Sequence, residues 1–123
     1  MPKPTLEFFP TDSSSVPTTP LSPESPITER ILSFDPDTGD KTAIQVCPPN
    51  YAWGPPLPER VTHTYWEEVY IIRGGLTDLG LGKTWKAGMY CCRPPGMPHG
   101  PYTTGDEECE QLVINRHEPM PKK

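Results

Sequence analysis

Long apolar runs are missing from this chain. No stretch approaches the ~20 apolar residues that a membrane-spanning helix requires, and the first residues lack the basic start and apolar run of a secretory leader. The expectation that follows is a cytoplasmic protein with no membrane partner. Lysine and arginine do not cluster and the formal charge is −5, so no segment would neutralise a run of phosphates and nucleic acid is a poor partner. No C-x-x-C pair occurs among Cys47, Cys91, Cys92 and Cys109, and two of the four are adjacent, an awkward arrangement for a disulfide framework. Reduced and mostly buried thiols are expected. Also missing is any helix-length amphipathic pattern.

What the chain has instead is turn chemistry. Nineteen prolines and ten glycines among 123 residues, with only 33% hydrophobic residues, argue for short strands joined by many turns, because proline stops helices and cannot donate to a sheet ladder. The length suits one domain with one modest core. Residues 1–29 are rich in Pro, Ser and Thr, show no periodicity, and read as an arm or disordered tail. Leu6, Phe8 and Phe9 are its one sticky element, able to dock on the domain or on a second subunit. Residues 30–116 have the texture of a β-domain, and 117–123 form a C-terminal tail. Strands are predicted over 30–34, 42–47, 61–73, 76–81, 84–86, 89–93 and 110–115, the long one bent near Trp66. Asp37 to Gly39 marks a tight hairpin turn and Gly74-Gly75 a second. Tyr51 and Trp53 lie in a proline-rich loop over 48–58 that is placed to shape a pocket mouth.

Alternation along the long strand puts His63, Tyr65, Glu67, Val69 and Ile71 on one face and Trp66, Glu68, Tyr70 and Ile72 on the other. A histidine and a carboxylate on an otherwise apolar interior face are unfavourable to bury unless they are paired or bound to an ion. Metal coordination by His63 and Glu67 is the simplest account. His99, fixed by the rigid turn Arg93-Pro-Pro-Gly-Met-Pro before it, is the candidate third ligand. Two histidines and one carboxylate leave coordination positions open, as a catalytic site requires, and suit Fe(II) and some other first-row metals. Each residue taken singly is weak evidence: a lone strand histidine more often satisfies a hydrogen bond, and either Glu67 or Glu68 could be solvated.

Two segments resemble the paired motifs of the cupin superfamily. His63-Thr-Tyr-Trp-Glu67-Glu-Val-Tyr-Ile-Ile-Arg-Gly74 is similar to the family's His, three residues, Glu, six residues, Gly. Gly88-Met-Tyr-Cys-Cys-Arg-Pro94-Pro-Gly96-Met-Pro-His99 matches its Gly, five residues, Pro-x-Gly, two residues, His. The resemblance implies an all-β fold, a single-domain cupin β-barrel (double-stranded β-helix or jelly roll) with an extended N-terminal arm. It also implies His63, Glu67 and His99 as ligands of one divalent metal, Fe(II) favoured over Zn, Mn or Ni. Glu67 is preferred to Glu68 by its spacing to Gly74 and its parity with His63. Metal-binding cupins usually carry a further histidine two positions before the one aligned with His63, and Val61 stands there. The site would therefore hold three protein ligands, recruit Tyr65 or His117, or serve as a metal-free cavity. Cupins commonly dimerise by pairing the outer sheet, so a homodimer is expected, with Trp66 and Tyr70 packed against the N-terminal strands or a second subunit.

Further groups are expected at the cavity: Tyr65 by parity, Arg93 or one of Cys91 and Cys92 at the end of the second motif strand, Tyr102 just after His99, and Gln111 on the last strand. An aromatic-lined cavity holding one cation favours a flat, partly anionic small molecule such as a phenol, an enol or a carboxylic acid. The leading expectation is a metal-dependent enzyme, an oxygenase acting on an aromatic, enolic or polyketide-like metabolite, as short stand-alone cupins resemble enzymes of that metabolism. An alternative uses the metal only as a Lewis acid, or dispenses with it, in a decarboxylase, isomerase or cyclase, with Tyr65, Glu68, Arg93 and Tyr102 handling protons or anions. A third is a non-catalytic ligand-binding cupin.

Overall fold

Ten strands and the turns between them make up residues 3–117, the part of the chain that the computed structural model describes. Residues 118–123 of the expected C-terminal tail lie outside the described residues. In chain order the strands are β1 (Thr19–Pro20), β2 (Thr28–Phe34), β3 (Lys41–Cys47), β4 (Ala52–Trp53), β5 (Trp66–Arg73), β6 (Gly75–Asp78), β7 (Lys83–Lys86), β8 (Tyr90–Arg93), β9 (Tyr102–Thr104) and β10 (Cys109–Arg116). They form a six-stranded sheet in the order β1-β2-β3-β10-β5-β8 and a four-stranded sheet in the order β4-β9-β6-β7. Neighbouring strands in both sheets pair antiparallel. No helix occurs among the described residues, and none is therefore long and apolar enough to cross a membrane.

The two sheets close on an apolar cluster of Ile27, Cys47, Ile71, Leu76, Tyr102 and Cys109. Alternation decides which side chains reach it. Across the large sheet Glu67, Val69 and Ile71 of β5 stand opposite Asn115, Val113 and Gln111 of β10, and these positions face the interior. Glu68, Tyr70 and Ile72 face out. The hairpin expected at Asp37 to Gly39 joins β2 to β3, with Gly39 at a φ of 86° and its amide donating to the Asp35 carbonyl at 2.8 Å. Gly74 connects β5 to β6 at a φ of 73°, and a Cβ there would run into the Glu108 carbonyl oxygen. Only glycine serves both demands.

Two expected strands are shorter than their sequence pattern. The ladder expected over 61–73 begins at Trp66, because the backbone of 61–63 bonds instead to the turn before His99. Val61 N–H donates to the His99 carbonyl at 2.8 Å, His99 N–H returns to Val61 at 2.9 Å, and Gly96 N–H donates to the His63 carbonyl at 2.8 Å. The strand expected over 76–81 ends at Asp78, whose Oδ1 accepts the amides of Gly80 and Leu81 at 2.9 and 3.1 Å and so makes a turn. Residues 3–27 are laid along the domain: Lys3 Nζ donates to Thr42 Oγ1 at 2.8 Å, Arg30 Nε to the Thr11 carbonyl at 2.7 Å, and Val16 is buried. Ile27 belongs to the core and β2 starts at Thr28, so the boundary set at residue 29 falls inside the first long strand.

Candidate metal centre and its cavity

His63, Glu67 and His99 come together from three elements. Glu67 is the second residue of β5, His63 sits on the segment tied to 96–99, and His99 closes that tie from the other side. One ligand atom from each lies within 4.8 Å of the other two, and His63 Nε2 is 3.7 Å from Glu67 Oε2. Metal to ligand bonds of about 2.0–2.2 Å require the three atoms to draw closer together around an ion. His99 supplies the test of fit. Its ring is buried, and Nε2 has no hydrogen-bond partner, a state that costs free energy unless something fills it. An ion bound by this set fills it.

Nδ1 of the same ring lies 2.8 Å from the Tyr102 hydroxyl. With the proton on Nδ1 and donated to Tyr102, Nε2 presents a lone pair to the triad, the arrangement by which an outer partner fixes a ligand histidine. Burial, then the nearby Arg93 and His63, push the His99 pKa down to about 4, so the ring is neutral at neutral pH. Burial pushes the Tyr102 hydroxyl up, and it stays protonated. Arg93 stands opposite Glu67 in the β5–β8 register; its Nη1 is 3.3 Å from Glu67 Oε1, and its guanidinium lies 5.8 Å from the centre of the Tyr102 ring. Tyr65 stacks on His63 with ring centres 4.7 Å apart, and burial, then Glu67, raise its pKa.

The triad opens on a cavity of about 510 Å³, lined by Tyr65, Arg93 and Tyr102 and, over most of its wall, by apolar and aromatic residues such as Trp53, Val69 and Trp85. Val61 lines it as well, at the position where the cupin motif has a histidine. Glu68 is a correction. The alternation that turns Glu67 inward turns Glu68 out, where its carboxylate accepts from the Tyr90 hydroxyl and lies 3.8 Å from Arg116 Nε; it is not a cavity group. Of the two adjacent cysteines, Cys91 shares the inner face with Val69 and Cys92 the outer face with Glu68. Cys47 and Cys109 are buried, Cys91 is half-buried and Cys92 exposed, and all four are free thiols. His117 is engaged by Asp40, 3.3 Å from Nδ1 to Oδ1, and is not part of the triad.

Two residues that support the site carry no strong sign in the sequence. Asp78, fully buried, receives Arg60 Nη2 at 2.9 and 3.0 Å and the Gly100 amide at 3.2 Å, while Arg60 Nε donates to the Gly100 carbonyl. This clamp fixes the backbone immediately after His99. Asp78 before Leu-Gly reads locally as an ordinary turn residue, and nothing in the linear pattern pairs it with Arg60, eighteen positions earlier.

A small β-barrel whose cavity opens on a two-histidine, one-carboxylate donor set is a cupin in architecture. The model of the ChrR cupin-like domain matches residues 9–119, and the chain belongs to that family. Solved structures of similar fold include an acetylacetone dioxygenase from Acinetobacter johnsonii, 19% identical with a TM-score of 0.68 over 91% of this chain and 75% of that one. The polyketide cyclase RemF from Streptomyces resistomycificus is 24% identical, with a TM-score of 0.64 over 92% of this chain and 83% of that one. A chain in the structure of Rhodobacter sphaeroides SigE in complex with the anti-sigma ChrR is 17% identical, with a TM-score of 0.61 over 82% of this chain and 50% of that one. At these identities the likeness is one of fold. No curated protein matches the chain in sequence.

Proposed function

We propose that the protein is a metal-dependent cupin enzyme that acts on a small, flat, oxygen-bearing organic molecule, and that its reaction is an oxygenation. The observation that carries this reading is the unpartnered Nε2 of His99 beside His63 and Glu67, at the wall of a largely apolar cavity. A divalent ion held by these three residues, iron(II) in the favoured case, would supply Lewis acidity and the redox chemistry that oxygen requires. Tyr102 holds the His99 ring in its ligating orientation. Arg93 brings a guanidinium to the same end of the cavity, where it favours an enolate, phenolate or carboxylate and orients it. The apolar walls exclude water. Acetylacetone, named with one fold neighbour, is a small enolisable diketone of the kind this cavity suits.

A non-redox reaction, cyclisation, isomerisation or decarboxylation, is the second reading. It is favoured by Tyr65, a protonated hydroxyl at the cavity, positioned to hand a proton to an enolate. Metal analysis of protein purified without chelator, with His63→Ala and His99→Ala in parallel, tests the shared premise. Near-stoichiometric metal lost in both variants supports it, and no metal even after reconstitution overturns it. Oxygen uptake with enolic and phenolic substrates then separates the readings, since product formed equally well without oxygen belongs to the second.

A further inference from the structure

Beside His99 Nε2, three buried polar atoms among the described residues lack a hydrogen-bond partner: Gln111 Oε1, Asn115 Oδ1 and Trp85 Nε1. All three side chains line the cavity, and Gln111 and Asn115 are each only 8% exposed. They do not sit together. Asn115 pairs with Glu67 in the register of β5 and β10, so it belongs to the metal end. Gln111 pairs with Ile71, four residues further along, roughly 13 Å away at the usual rise of a strand. Trp85 stands opposite Leu76, just past the Gly74 turn that follows Ile71 and Arg73, and so lies toward the end where Gln111 pairs with Ile71.

The cavity is therefore polar at both ends and apolar between them, where Val69 and Cys91 line the wall. At the far end Gln111 Nε2 donates to Gln45 Oε1 at 3.4 Å, which turns the Gln111 carbonyl away as an unfilled acceptor. Trp85 contributes an unfilled donor. Unmet hydrogen-bonding groups in an apolar setting are unfavourable. A hydroxyl, which donates and accepts, is the group that serves both.

We propose that the Gln111 and Trp85 end of the cavity is a specificity subsite for a hydroxyl, and that the substrate is an elongated planar molecule. Its metal-chelating oxygens lie at one end, an apolar ring body spans the middle, and a hydroxyl lies at the far end. The subsite rests on the metal-enzyme reading for what occupies the other end. The test uses zinc-loaded protein, in which no redox turnover occurs, and two probes without oxygen present: 2,3-dihydroxynaphthalene and 2,3,6-trihydroxynaphthalene. Calorimetric titration should show the second probe binding about tenfold more tightly, the value of one well-made hydrogen bond in a buried site. That advantage should shrink to less than about twofold in Gln111→Leu and diminish in Trp85→Phe, with the affinity of the first probe little changed. Equal affinities in the native protein overturn the subsite without recourse to any variant. An advantage that survives both substitutions overturns its placement. Removing zinc tests the other end: both probes should weaken in parallel, and binding indifferent to zinc overturns the chelation reading while leaving the hydroxyl comparison to stand on its own.

Discussion

Val61 takes part in the bridge to His99 through its backbone alone, which leaves its side chain free at the cavity wall two residues before His63. Val61→His is expected to add a fourth donor to the set and to tighten zinc binding by roughly tenfold or more, as measured by competition with a chromogenic chelator. His99 sets a pH dependence of opposite character. Its pKa is about 4 in the fold and near 6.5 in the unfolded chain. Between these values the unfolded chain binds a proton that the folded one does not, so stability of the metal-free protein is lost as pH falls from 6.5 through 4, about 3 kcal/mol in total. Urea unfolding across that range should show the decline, and His99→Gln should flatten it.

Among the elements, the segment after His99 depends most on a partner distant in sequence. Arg60→Met leaves the Asp78 carboxylate, 1% exposed, with amide donors but no cation. Loss of one member of such a buried pair is expected to cost about 3 kcal/mol in chemical denaturation and to loosen metal binding through the Gly100 backbone. This clamp marks where local pattern stops being informative. The alternation of β5 was legible because every second residue from Glu67 to Ile71 is committed to one face, and the same parity sorted Glu67 from Glu68. The triad was legible because its spacing survives in the two motifs. Illegible were the strands of two or three residues, β1, β4 and β9, which have no room for a period, and the end of the β5 ladder at Trp66, decided by amides of the 96–99 turn. Glu68 was set down as a proton-handling group on residue type alone, and its side of the strand turns it away from the cavity.

For the molecule as a whole, the outer face of the large sheet is covered unevenly. The N-terminal arm lies against β2 and β3, where Ile44 is buried, whereas Tyr70, Ile72 and Tyr90 on β5 and β8 remain exposed, and Phe8 on the arm is wholly so. We propose that a second copy of the chain covers this β5–β8 face, giving the expected homodimer; light scattering should find twice the chain mass, reduced to one chain in Tyr70→Glu. A native monomer at micromolar concentration would sink that proposal. The amide pairing of 61–63 with 96–99 has its own consequence for time. Because one strip of three hydrogen bonds carries both histidines, separating its two sides displaces His63 and His99 in the same event. Escape of an ion held there would share one opening step with exchange of the Val61, Gly96 and His99 amide protons for deuterium, and its residence would lengthen the protection of all three together.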